Sequence, residues 1–260
     1  MQKSVLRAFE CGDIGWGMVG RTSDELRPSL RGRSFCVLKT DVHIAKNLAS
    51  GTYWEEWMFD VFKEYYTPET DMVDIGAHIG TSALLMEEIC SQHCSVHAFE
   101  PIFHRLITHT LTLNNISDER VRVYPFALGQ ETTMLDTTVK NWAVPSNFGA
   151  SALDHNELVP RDYDYFGDVP VQIPVAKLNI DAVFSRRVSV IKIDVEGMEQ
   201  QVLLGIMELI ERDRPVILIE VWKGAALNSF VDFLKTKMAT YEIRKIEQGC
   251  EDYILLPLPL

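Results

Sequence analysis

The residues best typed and spaced for chemistry begin with Asp74, Gly76 and Gly80, in the run Val73-Asp74-Ile75-Gly76-Ala77-His78-Ile79-Gly80-Thr81. They read D-x-G-x-x-x-G at the end of a short apolar run, Met72–Ile75, that predicts a strand. Glycines at such a point let the backbone turn tightly and approach a ligand closely. A helix opening at Thr81 would aim its first N–H groups at that ligand. A dinucleotide fingerprint reads G-x-G-x-x-G, which this run does not match, so the loop suits a cofactor without a pyrophosphate. Glu100 closes the next strand-like run, where an acid can accept hydrogen bonds from both hydroxyls of a ribose. His78 sits inside the loop, and its backbone is expected to matter more than its imidazole. A second group is acidic. Asp194 and Glu196 follow the apolar run from Val188, and Glu220 sits near the end of the run from Pro215. Ligands of open α/β sheets bind outside the carboxyl ends of the strands, so these three acids converge on one edge.

The elements that must position these residues alternate. Strands are predicted at Met72–Ile75, Ser95–Glu100, Val121–Ala127, Val188–Asp194 and Pro215–Val221. Helices are predicted between them, the one after Asp194 carrying Val202, Leu203, Ile206, Leu209 and Ile210 on one face. Tyr241–Ile246 and Asp252–Leu256 pair as a closing hairpin across Gln248-Gly249. Such alternation predicts an α/β fold, a mostly parallel sheet covered by helices on both faces, its last strand antiparallel. Before the first glycine lies a helix with Trp54, Trp57, Met58, Val61, Phe62 and Tyr65 on one stripe. Thr52 and Glu55 read as a capping box at its start. Residues 1–50 form an extension whose role is not legible, and 51–260 the main domain. Residues 128–187 interrupt the rhythm as an insertion or lid, with Trp142, Tyr163 and Tyr165 as candidate stacking surfaces for an acceptor.

Composition narrows the partners. The chain has 260 residues, 47% of them hydrophobic and 24% charged, ordinary for a globular domain. Lys+Arg is 25 against Asp+Glu 37, a formal charge of −12, which offers no general attraction to a phosphate backbone. Nucleic acid is therefore not the expected partner. No apolar run approaches the length of a membrane helix and the start lacks an apolar signal core, so a cytoplasmic location is expected. The 5 cysteines read as free thiols. Cys90, His93, Cys94 and His97 have a metal-like look, but Cys94 and His97 run into a strand, which sends successive side chains to opposite faces; helix end, loop and strand is the preferred reading.

Taken together, DIGAHIG (74–80), AFEP (98–101), FALG (126–129), KIDVEGME (192–199) and ILIEVW (217–222) resemble the FkbM family of S-adenosylmethionine-dependent methyltransferases. NFGASAL (147–153) is similar to that family's loop after the third strand. The resemblance implies the class I methyltransferase fold, a Rossmann-like seven-stranded sheet in order 3-2-1-4-5-7-6. It implies S-adenosylmethionine as cofactor and O-methylation of a hydroxyl on a sugar, a glycan or a glycosylated natural product. Where many members carry Leu-Asp before the fourth strand, this chain has Leu178-Asn179.

On that reading Asp74, Gly76, Ala77, His78, Gly80 and Thr81 form the cofactor loop, with Asp74 reaching the amino-acid end. Glu100 holds the ribose, and Ala127 and Leu128 flank the adenine. Asp194, Glu196 and Glu220 are the candidates to take the acceptor's proton. Glu199 favours the dipole of the helix it opens, and Lys192 pairs with one of the acids. Asp194 and Glu220 also occupy strand ends where catechol-type O-methyltransferases hold magnesium, so Mg2+ or Mn2+ is a candidate second cofactor. An NAD-type oxidoreductase and a non-catalytic nucleotide-binding module are the alternatives; the missing dinucleotide fingerprint argues against the first, the strand-end acids against the second. The oligomeric state is not legible.

Overall fold

The structure is a computed structural model and describes residues 14–18, 32–151, 153, 169–221, 225–247 and 251–259. In chain order its elements begin with β1 (Ile14–Met18), β2 (Ser34–Leu38), α1 (Ile44–Ala49), α2 (Met58–Tyr65) and β3 (Asp71–Ile75). They continue with α3 (Thr81–Ile89), β4 (Val96–Phe99), α4 (His104–Leu113), β5 (Val121–Tyr124), β6 (Ala127–Leu128) and β7 (Thr133–Val139). After these come β8 (Val169–Ala176), α5 (Ile180–Val183), β9 (Val188–Ile193), α6 (Glu199–Gly205) and α7 (Met207–Asp213). The chain closes with β10 (Val216–Glu220), α8 (Ala225–Lys237), β11 (Tyr241–Lys245) and β12 (Asp252–Pro257).

Seven strands form the main sheet, in the order β5-β4-β3-β9-β10-β12-β11. Numbered within that sheet alone, this is 3-2-1-4-5-7-6. The detail that differs is outside it. β1 and β2 make a separate antiparallel pair, and β6, β8 and β7 make a three-stranded sheet within the predicted insertion. β3, β4, β5, β9 and β10 run parallel, whereas β12 is antiparallel to both of its neighbours. Among the described residues no helix is long and apolar enough to cross a membrane.

The central strands are buried on both faces, which is why they read as continuous apolar runs. Met72, Val96, Val190 and Leu218 face one layer, which includes Phe62, Leu84 and Ile107. Val73, Ile191, Ile217 and Ile219 face the other, with Leu203, Ile210 and Leu234. The period of two along each strand assigns these faces. Phe35, Val37, Ile44, Leu48 and Tyr53 belong to the first core, so β2 and α1 pack on the same layer as α2 to α4.

Three expectations change. The strand predicted over Val121–Ala127 splits: β5 stops at Tyr124, and Ala127–Leu128 pairs instead with β8, parallel, in the smaller sheet. The single helix predicted over 199–210 is two, meeting at Ile206. A Cβ on Gly205 would stand 2.1 Å from the Gly129 carbonyl oxygen, so this glycine is needed for close approach to the loop after β6. The capping box is absent. α2 begins at Met58, its cap makes no side-chain bond, and Glu55 lies in the preceding turn with φ +53°. Asn179, the departure noted above, caps α5 through its side chain, accepting from the Ala182 N–H at 3.2 Å.

Candidate functional site

A cavity of about 570 Å³ opens at the carboxyl ends of β3, β4, β9 and β10. Its size suits a small-molecule site. The floor comes from the sheet: Gly76, Ala77, His78 and Thr81 after β3, Glu100 after β4, Ala127 and Leu128 of β6, Lys192, Asp194 and Glu196 at β9, and Glu220 at β10. The roof comes from two segments not in the main sheet. His43, Ile44, Trp54 and Glu55 come from before β3, and Asn147, Phe148 and Leu153 from the loop between β7 and β8. Backbone bonds from Ser146 N–H to Thr40 O and from Val42 N–H to Ser146 O, each 3.0 Å, tie the two segments together. The buried Lys140 ammonium donates to the Asn147 and Ala150 carbonyls and so holds the loop in shape.

The glycine loop is built by close backbone packing. Gly76 has φ +82°, and a Cβ there would stand 1.7 Å from the Asp194 carbonyl oxygen. Gly76 N–H donates to Phe99 O at 2.9 Å, and Asp194 N–H to Ile75 O at 3.0 Å. The glycine thus lets the first and fourth parallel strand ends meet. Gly80 has φ +92° and packs against Ile107, away from the cavity lining.

Glu100 is 6% exposed, and its carboxylate accepts from three backbone N–H groups: His78 to Oε2 at 2.9 Å, Ile102 and Phe103 to Oε1 at 2.8 and 3.0 Å. Burial nevertheless pushes it up to about 7. Its orientation is fixed before any ligand arrives. His78 contributes its N–H to that arrangement. Its imidazole stands edge-on to Phe103, 4.9 Å between ring centres, and burial pushes it down to about 4.

The acidic end differs from expectation in one residue. Asp74 is fully buried and does not line the cavity, so it does not reach a ligand's amino-acid end. Its carboxylate accepts from Ser82 Oγ at 2.6 Å and lies 3.8 Å from Lys192 Nζ. Lys192, 4% exposed, donates to Asp194 Oδ2 at 3.0 Å. Burial disfavours its charge, but Asp194, Asp74 and Glu55 outweigh that and push it above the usual lysine value. Glu220 is pushed up to about 8, first by burial and then by Asp194, Asp252 and Glu55. Glu196 lines the cavity in a left-handed backbone, φ +53°. Glu199 accepts from Gly197 N–H at 2.8 Å and closes the start of α6.

The residues present do not fit a resident Mg2+ or Mn2+. Asp194 Oδ2 is taken by an ammonium, and among the described residues no three His, Cys, Asp or Glu side chains are grouped to hold a metal. In the cysteine cluster, His97 bonds Tyr124 and Asp71 at 3.0 and 3.2 Å, while Cys90 and Cys94 are buried free thiols. Trp142 lies outside the cavity, 37% exposed, its ring 6.0 Å from Phe103. Tyr163 and Tyr165 lie outside the described residues.

Sequence reasoning missed Glu55, Trp54 and His43. The signal for Glu55 was a pair of acids between aromatic residues, Tyr53-Trp54-Glu55-Glu56-Trp57, which the capping-box pattern absorbed.

The family model described as the methyltransferase FkbM domain matches residues 74–246, more than half of the chain. A solved FkbM methyltransferase from Methylobacillus flagellatus is similar at 18% identity over 82% of this chain, with a TM-score of 0.48. The chain spans about half of that protein, 52% of its length. An rRNA methylase from Streptococcus thermophilus is 11% identical over 78% of this chain and 95% of its own, TM-score 0.45. A Streptococcus mutans protein solved in complex with SAH is 11% identical over 77% of this chain and 94% of its own, also at 0.45. No curated protein matches the chain.

Proposed function

The chain belongs to the methyltransferase FkbM family, and from that premise we propose that it transfers the methyl group of S-adenosylmethionine to a hydroxyl of a sugar, a glycan or a glycosylated natural product. The observation that carries the reading is the shared cavity. It joins a glycine loop, a ribose-type acid and a set of strand-end acids in one space of about 570 Å³. Glu100 fits the cofactor: three backbone donors fix its carboxylate, and the acceptor site left on Oε2 is open to a ribose hydroxyl. Ala127 and Leu128 supply apolar surface beside it for the adenine. The bound cofactor supplies an activated methyl group. The chain's own task is to align an acceptor oxygen with it and receive the proton that leaves.

Asp194, Glu196 and Glu220 remain the candidates for that proton. Burial among like charges raises Glu220 toward the working pH, which suits a base acting as the new bond forms. Asp194 is held by Lys192 and contributes charge and position.

Labelled S-adenosylmethionine, offered with a panel of free and nucleotide-linked sugars and glycosides, tests the reading; no label transferred to any acceptor while NAD supports their oxidation, or NAD binding as tightly as S-adenosylmethionine, would end it. Two variants sharpen it. Glu100→Ala should weaken S-adenosylmethionine binding about tenfold in isothermal titration, the loss of charge-assisted bonds. Asp194→Asn should lower kcat about 10²-fold with little change in cofactor affinity. A near-normal kcat removes Asp194 from the chemical step.

A further inference from the structure

Glu55 reaches the cavity from the roof, in the turn before α2, which carries none of the motif residues. Its turn is held by what surrounds it. Tyr53 is buried and donates its hydroxyl to Thr81 O at 2.8 Å, while Met58 N–H bonds back to Glu55 O at 3.0 Å. A glutamate at φ +53° gains nothing locally from that backbone, which costs about 1 kcal/mol relative to the ordinary region. Across the cavity stand Lys192, Asp194 and Glu220. Glu196 and Glu251 line it too, so counted as charged groups the carboxylates Glu55, Asp194, Glu196, Glu220 and Glu251 outnumber the Lys192 ammonium. The end of the cavity beyond Gly76 therefore carries an excess of negative charge.

S-adenosylmethionine carries one unbalanced positive charge. Its amino-acid end is a zwitterion and sums to zero, and the remaining charge is the sulfonium. S-adenosylhomocysteine has the same amino-acid end, ribose and adenine, without that charge. We propose that Glu55 is a further cofactor-binding residue that, facing Asp194 and Glu220, makes this site prefer the sulfonium form over the neutral thioether product. The inference rests on the reading that the cavity binds S-adenosylmethionine. Its consequence is kinetic: the attraction that helps load the cofactor vanishes when the methyl group leaves, and product release becomes easier. Asp194 shares its charge with Lys192 and Glu220 lies in the sheet among other acids, so the roof carboxylate is the one whose removal alters the balance with least damage to the core.

Isothermal titration with S-adenosylmethionine, S-adenosylhomocysteine and sinefungin, which carries an ammonium in place of the sulfonium, tests this without any acceptor. At pH 7.5 Glu55 is mostly ionised, since burial sets it at about 7, and the ligands' amino-acid ends are mostly zwitterionic. The wild-type protein should bind the two cationic ligands about tenfold more tightly than the thioether, the scale of one partly screened charge pair. Glu55→Gln keeps the shape, and a thermal melt checks that it folds. It should lose about tenfold for both cationic ligands and stay within about twofold for S-adenosylhomocysteine. Equal losses for all three would mean that Glu55 serves the shared amino-acid end or the shape of the turn, and would overturn the proposal while leaving the cofactor reading intact. Unchanged affinities would overturn it too. If the wild-type protein bound none of the three, the cofactor reading would fall first and this inference with it.

Discussion

Gly76→Ala is expected to be the most damaging single methyl group that can be added to this chain. The new Cβ would stand 1.7 Å from the carbonyl oxygen of Asp194 and 2.7 Å from its carbonyl carbon, and both are backbone atoms that cannot swing aside. The residue also sits at φ +82°, where an L side chain is strained before it meets anything. Relief requires the ends of β3 and β9 to part, and that breaks the Asp194 N–H to Ile75 O bond between them. Strain and overpacking together should cost about 3 kcal/mol or more. The loop from Gly76 to Thr81 and the side chain of Asp194 then move relative to each other, so cofactor binding should be lost along with stability. Urea unfolding followed by titration with S-adenosylmethionine measures both. Gly32, with φ +79° but nothing within 4 Å of an added Cβ, is the matched control and should lose only the local strain. A Gly76→Ala protein as stable as the Gly32→Ala one would show that the two strand ends are not locked together.

That close approach also explains what could be read from the sequence and what could not. Strands buried on both faces announce themselves as apolar runs, so β3, β4, β9 and β10 were predicted to within a residue or two, and the sheet order followed from the family resemblance. Gly76 and Glu100 line the cavity at the two strand ends where their residue types pointed to a ligand. Side-chain direction was less accessible. Asp74 lies in the motif, yet it spends its carboxylate on Ser82 and Lys192 inside the core. Ala127 and Leu128 line the cavity as expected but from a different sheet, a pairing decided by β8 more than forty residues downstream. Glu55 was hidden for the opposite reason. A local pattern, T-x-x-E before an apolar stripe, offered a sufficient explanation, and only long-range packing of the roof on the sheet overrides it.

Lys192→Met should be the second costly change, and it tests the electrostatics on which the acidic end depends. The ammonium lies 3.0 Å from Asp194 Oδ2 and 3.8 Å from Asp74 Oδ1, with Asp74 fully buried. Methionine fills similar space and leaves the carboxylates without their cation. Removing one partner from a buried ion pair generally costs about 3–5 kcal/mol, because the charge left behind is unpaired. The pH dependence gives the sign. Burial already pushes the Asp74 carboxyl above its ordinary 3.8, and loss of Lys192 pushes it further. A carboxyl raised in the folded state is penalised above its folded-state value and relieved as pH falls toward its unfolded one. The variant should therefore be much weaker than wild type at pH 8 and approach it near pH 4. Adding Asp194→Asn to Lys192→Met should recover part of the loss at pH 8, since one of the two facing charges is gone, and the coupling should show as clear non-additivity. Urea titrations of the four proteins at both pH values decide it. A loss under about 1 kcal/mol at pH 8, or a loss that does not change with pH, would mean that Lys192 serves packing rather than charge, and the charge balance drawn for the cavity would have to be abandoned with it.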